Sequence, residues 1–244
     1  MARLSRTVRV ETIAPGRHRP LRPTEDVIFS DRREAGRQLA QQLLSYRGQN
    51  CIVLGIPRGG VPVGYEISQA LGCPLDAIVP RKLPIPWSPE AGFGAIMPDG
   101  TRVLNEPMVR ELGLSQNEID SIAKNVLREV QRRQAAYRGN RPEPELANRV
   151  VIITDDGLAT GYTMIAACLA VRKRNPASIV VAVPVSPRSS AMEVEKAADR
   201  LLVLHISDRL AFAVASFYEE FPDMPDEDVA RYLEEAGRRE TQAS

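Results

Sequence analysis

The stretch that decides the fold is Val150-Val151-Ile152-Ile153-Thr154-Asp155-Asp156-Gly157-Leu158-Ala159-Thr160-Gly161-Tyr162-Thr163. Its apolar beginning is typical of a buried strand, and this strand delivers two adjacent carboxylates. Small residues follow and indicate a turn, after which a helix is predicted from about 163 to 174. The stretch therefore predicts a strand–turn–helix unit with its polar groups at the end of the strand.

The turn in this unit offers two kinds of binding group. Its backbone and the helix N-terminus present unpaired N–H groups, which suit a phosphate. Thr160 and Thr163 add hydroxyl donors, and Gly161 lets the backbone approach a ligand closely. Asp155 and Asp156 can bind a diol or hold a hydrated Mg²⁺ ion. Together these groups describe a site for a ribose 5-phosphate, and the competing interpretation is an ordinary turn with a capping aspartate.

Apolar runs and helical segments alternate along the rest of the chain. Strands are predicted at 51–56, 75–79, 149–154, 179–183 and 201–204, and helices at 31–46, 61–71, 163–174 and 189–198. This alternation favours an α/β fold, Rossmann-like, with a mainly parallel sheet flanked by helices. Ligands bind such sheets at the loops that follow the carboxyl ends of the strands.

Other segments predict additions to this sheet. Residues 94–97 and 101–104 flank Pro98-Asp99-Gly100 and predict an inserted hairpin. Ser115 and Glu118 fit a capping box for a long helix that reaches about residue 137. Residues 205–221 contain Phe212, Phe217 and Tyr218, whose rings are either stacking surfaces for a ligand or core side chains. We predict a domain at 25–224 and a C-terminal surface helix and tail at 225–244.

Two further loops carry candidate chemistry. Pro57-Arg58-Gly59-Gly60 follows the strand 51–56, and its tandem glycines can present backbone N–H groups inward, beside the Arg58 cation. Arg81-Lys82-Leu83-Pro84-Ile85-Pro86-Trp87-Ser88-Pro89-Glu90 holds two cations and three prolines, which argue against regular structure. This segment is either a lid that excludes water or a solvated loop anchored by Trp87.

The carboxylate stretch resembles the PRPP-binding motif of type I phosphoribosyltransferases, where PRPP is 5-phosphoribosyl-1-pyrophosphate. Phe29 to Gly36, Ile56 to Val63 and Val79 to Leu83 extend the resemblance to a stand-alone bacterial and archaeal group of phosphoribosyltransferase-like proteins. The resemblance implies that Asp155 and Asp156 contact the ribose hydroxyls and that Ala159, Thr160, Gly161, Tyr162 and Thr163 wrap the 5-phosphate. It also implies that Arg58, Gly59 and Gly60 bind pyrophosphate, in a loop that often has a non-proline cis peptide.

The resemblance further implies catalytic roles in the 81–90 segment. Arg81 and Lys82 would stabilise the leaving pyrophosphate, and Glu90 would serve as general acid/base toward the incoming base. Asp155 and Asp156 would hold Mg²⁺, directly or through water. Enzymes for 6-oxopurines have aspartate where this chain has Ala159, so its Ala-Thr-Gly is more similar to the adenine enzymes. The implied partners are PRPP and a small-molecule base, which accepts the phosphoribosyl group under a small hood that residues 205–221 would form. The implied assembly is a homodimer.

Composition excludes several other classes of protein. The chain has 244 residues, 43% of them hydrophobic, and no apolar run long enough for a transmembrane helix. Its net charge of +1 gives no general signal for binding nucleic acid. The charge is unevenly distributed, however, because residues 1–24 hold six arginines and one acid, a net charge of +5, and the rest of the chain has a net charge of −4. We interpret residues 1–24 as a basic, disordered tail. Three separated cysteines argue against a disulfide framework and favour a reducing, cytoplasmic compartment.

Two alternatives to an enzyme of nucleotide metabolism stay open. One is a regulator that senses PRPP and binds nucleic acid through the basic tail, although no helix-turn-helix is visible in residues 1–28. The other is a hydrolase of phosphoribosyl compounds or nucleotides that lacks an acceptor site. Intact Arg81 and Lys82 favour the transferase.

Overall fold

The computed structural model describes residues 10–12, 27–139, 141–209 and 211–243. The strands in these residues are β1 (Val10–Thr12), β2 (Cys51–Gly55), β3 (Leu75–Ala77), β4 (Arg81–Ile85), β5 (Ser88–Ile96), β6 (Arg102–Leu104), β7 (Val150–Thr154), β8 (Ser178–Pro187) and β9 (Arg200–Ser207). The α-helices are α1 (Arg32–Gln42), α2 (Gly60–Leu71), α3 (Glu106–Glu111), α4 (Gln116–Arg138), α5 (Tyr162–Arg172), α6 (Arg188–Glu195) and α7 (Asp226–Ala243).

The main sheet is parallel, in the order β1-β9-β8-β7-β2-β3. Alternate residues of β7, a central strand of this sheet, pack against the helices on opposite faces of the sheet. Val151 and Ile153 contact the cluster that includes α5 and α6, whereas Ile152 lies in the cluster formed with α1, α2 and α7. The predicted α/β fold with a mainly parallel sheet flanked by helices is confirmed.

A second, antiparallel sheet, β4-β5-β6, packs between α4 and α5. Its β5–β6 part confirms the predicted hairpin, and α4 begins with the predicted Ser115–Glu118 capping box. The expectation that residues 81–90 lack regular structure is wrong, because β4 and β5 form a hairpin there. Pro84 fits since β4 is an edge strand and its pairing is bulged on both sides of this residue, and Pro86 lies in the turn between the two strands.

The described ends of the chain also join the fold. Val10–Thr12 pairs in parallel with β9, a strand that the sequence analysis did not predict. The rest of the proposed tail, 1–9 and 13–24, lies outside the described residues. Near the other end, α7 buries Val229, Leu233 and Ala236 against α2 and α4.

The candidate hood residues are divided between core and surface. Phe217 and Tyr218 are buried with Phe29 and Val185, whereas Phe212 is half-buried against the Phe217 ring. Phe217 and Tyr218 are therefore core side chains and offer no free stacking surface. Among the described residues, no helix has the length and apolar character needed to cross a membrane.

Candidate functional site

The carboxylate turn, residues 155–161, lies directly after β7. It stands at the edge of the sheet that contains the carboxyl ends of the parallel neighbours β2 and β8. Asp155 and Asp156 are both half-buried. The Asp156 backbone N–H donates to Asp155 Oδ1 at 2.8 Å, which holds the first carboxylate against the turn. The sheet topology thus places two acidic groups at the position where α/β sheets bind ligands.

Arg32, at the start of α1, is the main partner of this pair. Its Nε donates to Asp156 Oδ2 at 2.8 Å, and its Nη1 donates to the Pro222 carbonyl at 2.9 Å. The guanidinium also lies over the Phe221 ring, 3.7 Å from the ring centroid. Both charged side chains are mostly buried, at 12% and 16% exposure for Arg32 and Asp156. Arg32 is therefore held by three kinds of contact, with its charge directed at Asp156.

The electrostatics of the two aspartates follow from burial. Burial raises the pKa of the Asp155 carboxyl well above its ordinary value, and the negative charge of Asp156 adds to the effect. Burial raises the pKa of Asp156 as well, but the Arg32 guanidinium opposes that rise. Asp156 is therefore the better ionised member of the pair, and Asp155 holds its proton more tightly.

The loop 57–60 touches the carboxylate turn. The peptide bond between Pro57 and Arg58 is cis, as the resemblance implies. A Cβ atom built on Gly59 would lie 1.8 Å from Asp156 Oδ2, and one built on Gly60 would lie 2.6 Å from the Thr154 carbonyl oxygen. A side chain at position 60 would therefore clash with the backbone, and one at position 59 would displace the Asp156 carboxylate. The Arg58 side chain is exposed beside the loop.

The turn 157–161 ends at the N-terminus of α5. Gly161 is the N-cap residue with φ of +81°, a conformation that favours glycine, and no side chain among the described residues caps this helix. Ser190 Oγ donates to the Ala159 carbonyl at 2.5 Å, and the Leu158 N–H donates to the Val185 carbonyl. Ala159 and Thr160 remain exposed. Hydrogen bonds to Ser190 and Val185 thus hold one side of the turn, and its other side faces solvent.

The hairpin residues lie apart from this cluster. Arg81 Nη2 pairs with Glu129 Oε1 of α4 at 2.8 Å, and Lys82, on the opposite face of β4, is exposed. Glu90 lies in β5, near the bulged part of the hairpin. Within the described part of the chain, no hydrogen bond or ion pair joins Arg81 or Lys82 to Asp155 or Asp156. The structure therefore unites the carboxylate turn with the loop 57–60 and leaves the hairpin outside that contact.

The described residues contain no group of three or more histidine, cysteine, aspartate or glutamate side chains suited to a metal. Asp155 and Asp156 are a pair, and each uses one carboxylate oxygen in a hydrogen bond within the protein. Mg²⁺ is commonly held by one or two carboxylates together with waters and substrate phosphates. The pair fits that mode, in which the substrate brings most of the ligands, and does not fit an all-protein metal cage.

Two residues of the site were missed by the sequence analysis. Arg32 belongs to the stretch 29–36 that carries the family resemblance, but no motif marked it as a partner of Asp156. Tyr218 donates its hydroxyl to the Asp156 carbonyl at 2.6 Å, from a position 62 residues further along the chain. Because both contacts depend on tertiary packing, the local sequence gives no signal for them.

Comparison with known proteins adds independent evidence. A family model described as a phosphoribosyl transferase domain matches residues 97–219. Mycobacterium tuberculosis proteins of strains CDC 1551 and H37Rv, each named "Putative phosphoribosyl transferase", are 42% identical over 211 residues, which is 86% of this chain and 47% of the relative. The chain thus spans about half the length of these curated relatives. The crystal structure of TT1426 from Thermus thermophilus is 35% identical, with a TM-score of 0.71, over 85% of this chain and 98% of that one.

Proposed function

The chain belongs to the phosphoribosyltransferase family, and we propose that it transfers the 5-phosphoribosyl group of PRPP to a nitrogenous base or related nitrogen nucleophile, with release of pyrophosphate. The observation that carries this proposal is the contact between the loop 57–60 and the carboxylate turn. That contact joins a glycine loop, a carboxylate pair and an uncapped helix N-terminus at one edge of the sheet. PRPP has a pyrophosphate, a diol and a 5-phosphate in the corresponding order.

Each part of this edge has a proposed role in binding. Asp155 and Asp156 accept hydrogen bonds from the ribose hydroxyls. Ala159, Thr160, Gly161, Tyr162 and Thr163 wrap the 5-phosphate, which the N-terminus of α5 favours electrostatically. Arg58, Gly59 and Gly60 bind the pyrophosphate, and the glycines allow its oxygens to approach the backbone. Arg32 keeps Asp156 ionised and oriented for the ribose.

The reaction breaks the bond between ribose C1 and the pyrophosphate oxygen while the acceptor nitrogen bonds to C1. Positive charge develops on the ribose ring, as in glycosyl transfer, and the carboxylates of Asp155 and Asp156 favour it. Negative charge develops on the leaving pyrophosphate, where Arg58, Arg81 and Lys82 stabilise it. Glu90 serves as general acid/base toward the acceptor. These roles require the β4–β5 hairpin to approach the sheet edge when the substrate is bound.

We propose that Mg²⁺ accompanies PRPP, held by Asp155 and Asp156 directly or through water. When bound, the ion would neutralise part of the polyphosphate charge. The Ala159-Thr160-Gly161 turn supports an acceptor other than a 6-oxopurine. A homodimer is proposed from the family resemblance. A cytoplasmic location is proposed from the three separated cysteines of the sequence.

The test is base-dependent release of pyrophosphate. The full chain is incubated with PRPP, Mg²⁺ and a panel of purine and pyrimidine bases. Asp155→Asn/Asp156→Asn should abolish release, whereas Asp120→Asn, an exposed aspartate on α4, should leave it unchanged. PRPP binding without turnover on any base would contradict the transferase and support a PRPP sensor, which a gel shift with DNA and RNA would then examine. Release at equal rates with and without a base would indicate a hydrolase.

A further inference from the structure

Two cysteines that are 22 positions apart in the sequence come together at the amino-terminal edge of the main sheet. Strands β2 and β3 are parallel, and their register pairs Val53 with Leu75. The paired register begins at these two residues, and Cys51 and Cys73 each precede it by two positions, at the same edge of the sheet. Neighbouring strands lie about 4.8 Å apart, which falls within the Cα separation of about 4.4–6.8 Å that a disulfide spans.

The two thiols also share a face and a contact. Both pack against the layer formed by α1, α2 and α7. A hydrogen bond between the two thiol groups lowers the pKa of the Cys51 thiol. Cys51 Sγ in turn lies 3.7 Å from the Tyr46 carbonyl oxygen, to which it donates when protonated. Cys51 is buried and Cys73 is half-buried, so the pair is reached from solvent through Cys73.

We propose that Cys51 and Cys73 form an oxidation site that closes to an intramolecular disulfide when the protein meets hydrogen peroxide. One thiolate attacks the peroxide, becomes a sulfenic acid and releases hydroxide. The neighbouring thiol then attacks the sulfenic sulfur, the S–S bond forms, and water leaves. Two thiols are oxidised by two electrons, and one peroxide is reduced to two water molecules once the proton is returned. A dithiol reductant reverses the step by thiol–disulfide exchange.

The position of the pair gives the disulfide a structural consequence. Cys51 begins β2, and Cys73 follows the C-terminus of α2. Everything between them is the β2–loop–α2 unit that carries Pro57–Gly60. Closing this unit covalently restricts its unfolded states, so oxidation should raise the temperature of unfolding. The thiol chemistry does not depend on transferase activity.

Cys168 provides an internal control. It is fully buried in α5, on the opposite layer of the sheet, and burial raises the pKa of its thiol to about 12. Little thiolate therefore forms at neutral pH, and no peroxide can reach it in the folded state. The three thiols of one chain should accordingly react unequally.

The experiment is mass spectrometry of the intact full-length protein after treatment with hydrogen peroxide. The folded protein is oxidised, unfolded, alkylated and digested without reductant. We expect a linked pair of peptides containing Cys51 and Cys73, alkylated Cys168, and loss of the linkage after dithiothreitol. The unfolding temperature should rise on oxidation and return on reduction.

Matched variants define the outcomes. Cys168→Ser should still form the linkage, whereas Cys73→Ser and Cys51→Ser should not. Because the wild-type digest is informative by itself, a variant that fails to fold does not remove the test. The proposal is overturned if Cys51 and Cys73 both remain alkylated, if they are linked only between molecules, or if Cys168 oxidises as fast as they do. Failure of PRPP turnover would leave these results unaffected.

Discussion

The carboxylate turn and the β4–β5 hairpin, the two regions that the sequence marks for chemistry, are built in opposite ways. Asp156 is contacted by Arg32 from α1, by the backbone at Gly59 and through the Tyr218 hydroxyl, so three distant parts of the chain fix one residue. The hairpin instead exposes Lys82 and Trp87 to solvent, and Arg81 forms an ion pair with Glu129 on the surface. The first region is fixed by contacts on several sides, whereas the second packs its apolar side chains against α4 and α5 and presents Lys82 and Trp87 to solvent.

Because of this difference, substitutions in the two regions should have different effects on stability and on PRPP binding. A substitution that breaks the contacts of Asp156 should lower both the free energy of unfolding and the affinity for PRPP, because the same contacts serve both. A substitution of an exposed hairpin residue, Lys82 or Trp87, should leave stability almost unchanged and affect only the reaction steps that need the hairpin. That division can be tested with variants, each paired with a control residue that resembles its target in type and differs in environment.

The largest effect is expected from Arg32→Met, which keeps an apolar side chain over Phe221 and removes the charge. Breaking a buried ion pair leaves its partner uncompensated at a cost of about 3–5 kcal/mol. Since this pair keeps some exposure, we expect the free energy of unfolding to fall by about 2–3 kcal/mol. Urea-induced unfolding measures it, and PRPP affinity should fall in parallel.

The control for Arg32 is its neighbour. Arg33 pairs with Glu66 but is half exposed, and Arg37 also lies 3.7 Å from Glu66. Arg33→Met should therefore cost less than about 1 kcal/mol. Equal losses of unfolding free energy in the two variants would show that the Arg32–Asp156 pair stabilises the protein no more than a surface ion pair does. The contrast drawn between the two regions would then lose its main support.

Gly59→Ala should have the next largest effect. The added methyl group would overlap Asp156 Oδ2, so the loop or the carboxylate must shift. Overpacking of this kind costs about 1–3 kcal/mol, and the shift should weaken PRPP binding, measured by calorimetry. Gly237→Ala is the control, because a methyl group there meets open space in α7. If Gly59→Ala binds PRPP as the wild type does, the loop 57–60 and the carboxylate turn do not act as one site.

The site could be predicted only as far as its parts are local in sequence. The strand–turn–helix at 150–163 and the loop at 57–60 are visible because strand periodicity and glycine pattern depend on neighbouring residues. Arg32 and Tyr218 reach Asp156 from 124 and 62 positions away, and no local pattern encodes such contacts. The hairpin at 81–96 was missed since prolines argue against a strand unless it lies at an edge with a bulged register, which only the tertiary arrangement reveals.

The pH dependence of stability should distinguish Asp155 from an exposed aspartate. Burial raises the pKa of Asp155, so the folded state binds its proton more tightly than the unfolded state, and stability falls as pH rises above the unfolded value of about 4. Asp155→Asn mimics the protonated acid. In metal-free buffer it should become more stable than the wild type as pH rises, as measured by urea unfolding across the range.

Asp120 should show the opposite sign. The hydrogen bond from Arg102 lowers the pKa of Asp120, so its contribution is present above the unfolded value and is lost as pH falls through the folded one. Asp120→Asn should therefore be slightly less stable than the wild type at neutral pH and equal to it in acid. If Asp155→Asn follows the same direction as Asp120→Asn, Asp155 is not destabilised by burial.

The smallest change in stability is expected at Trp87, and here a spectroscopic signal replaces the energetic one. Trp87 is the only tryptophan of the chain and its side chain is 64% exposed, so Trp87→Ala should change the free energy of unfolding by less than about 0.5 kcal/mol. In the wild type, if the hairpin approaches the carboxylate turn when PRPP and Mg²⁺ bind, Trp87 leaves water. Its emission should then shift to the blue, and quenching by acrylamide should decrease. Asp155→Asn/Asp156→Asn, which should not bind PRPP, should show neither change. Quenching that stays the same in the wild type at saturating PRPP would mean that the hairpin remains apart from the site, and the roles proposed for Arg81, Lys82 and Glu90 would then have to be withdrawn.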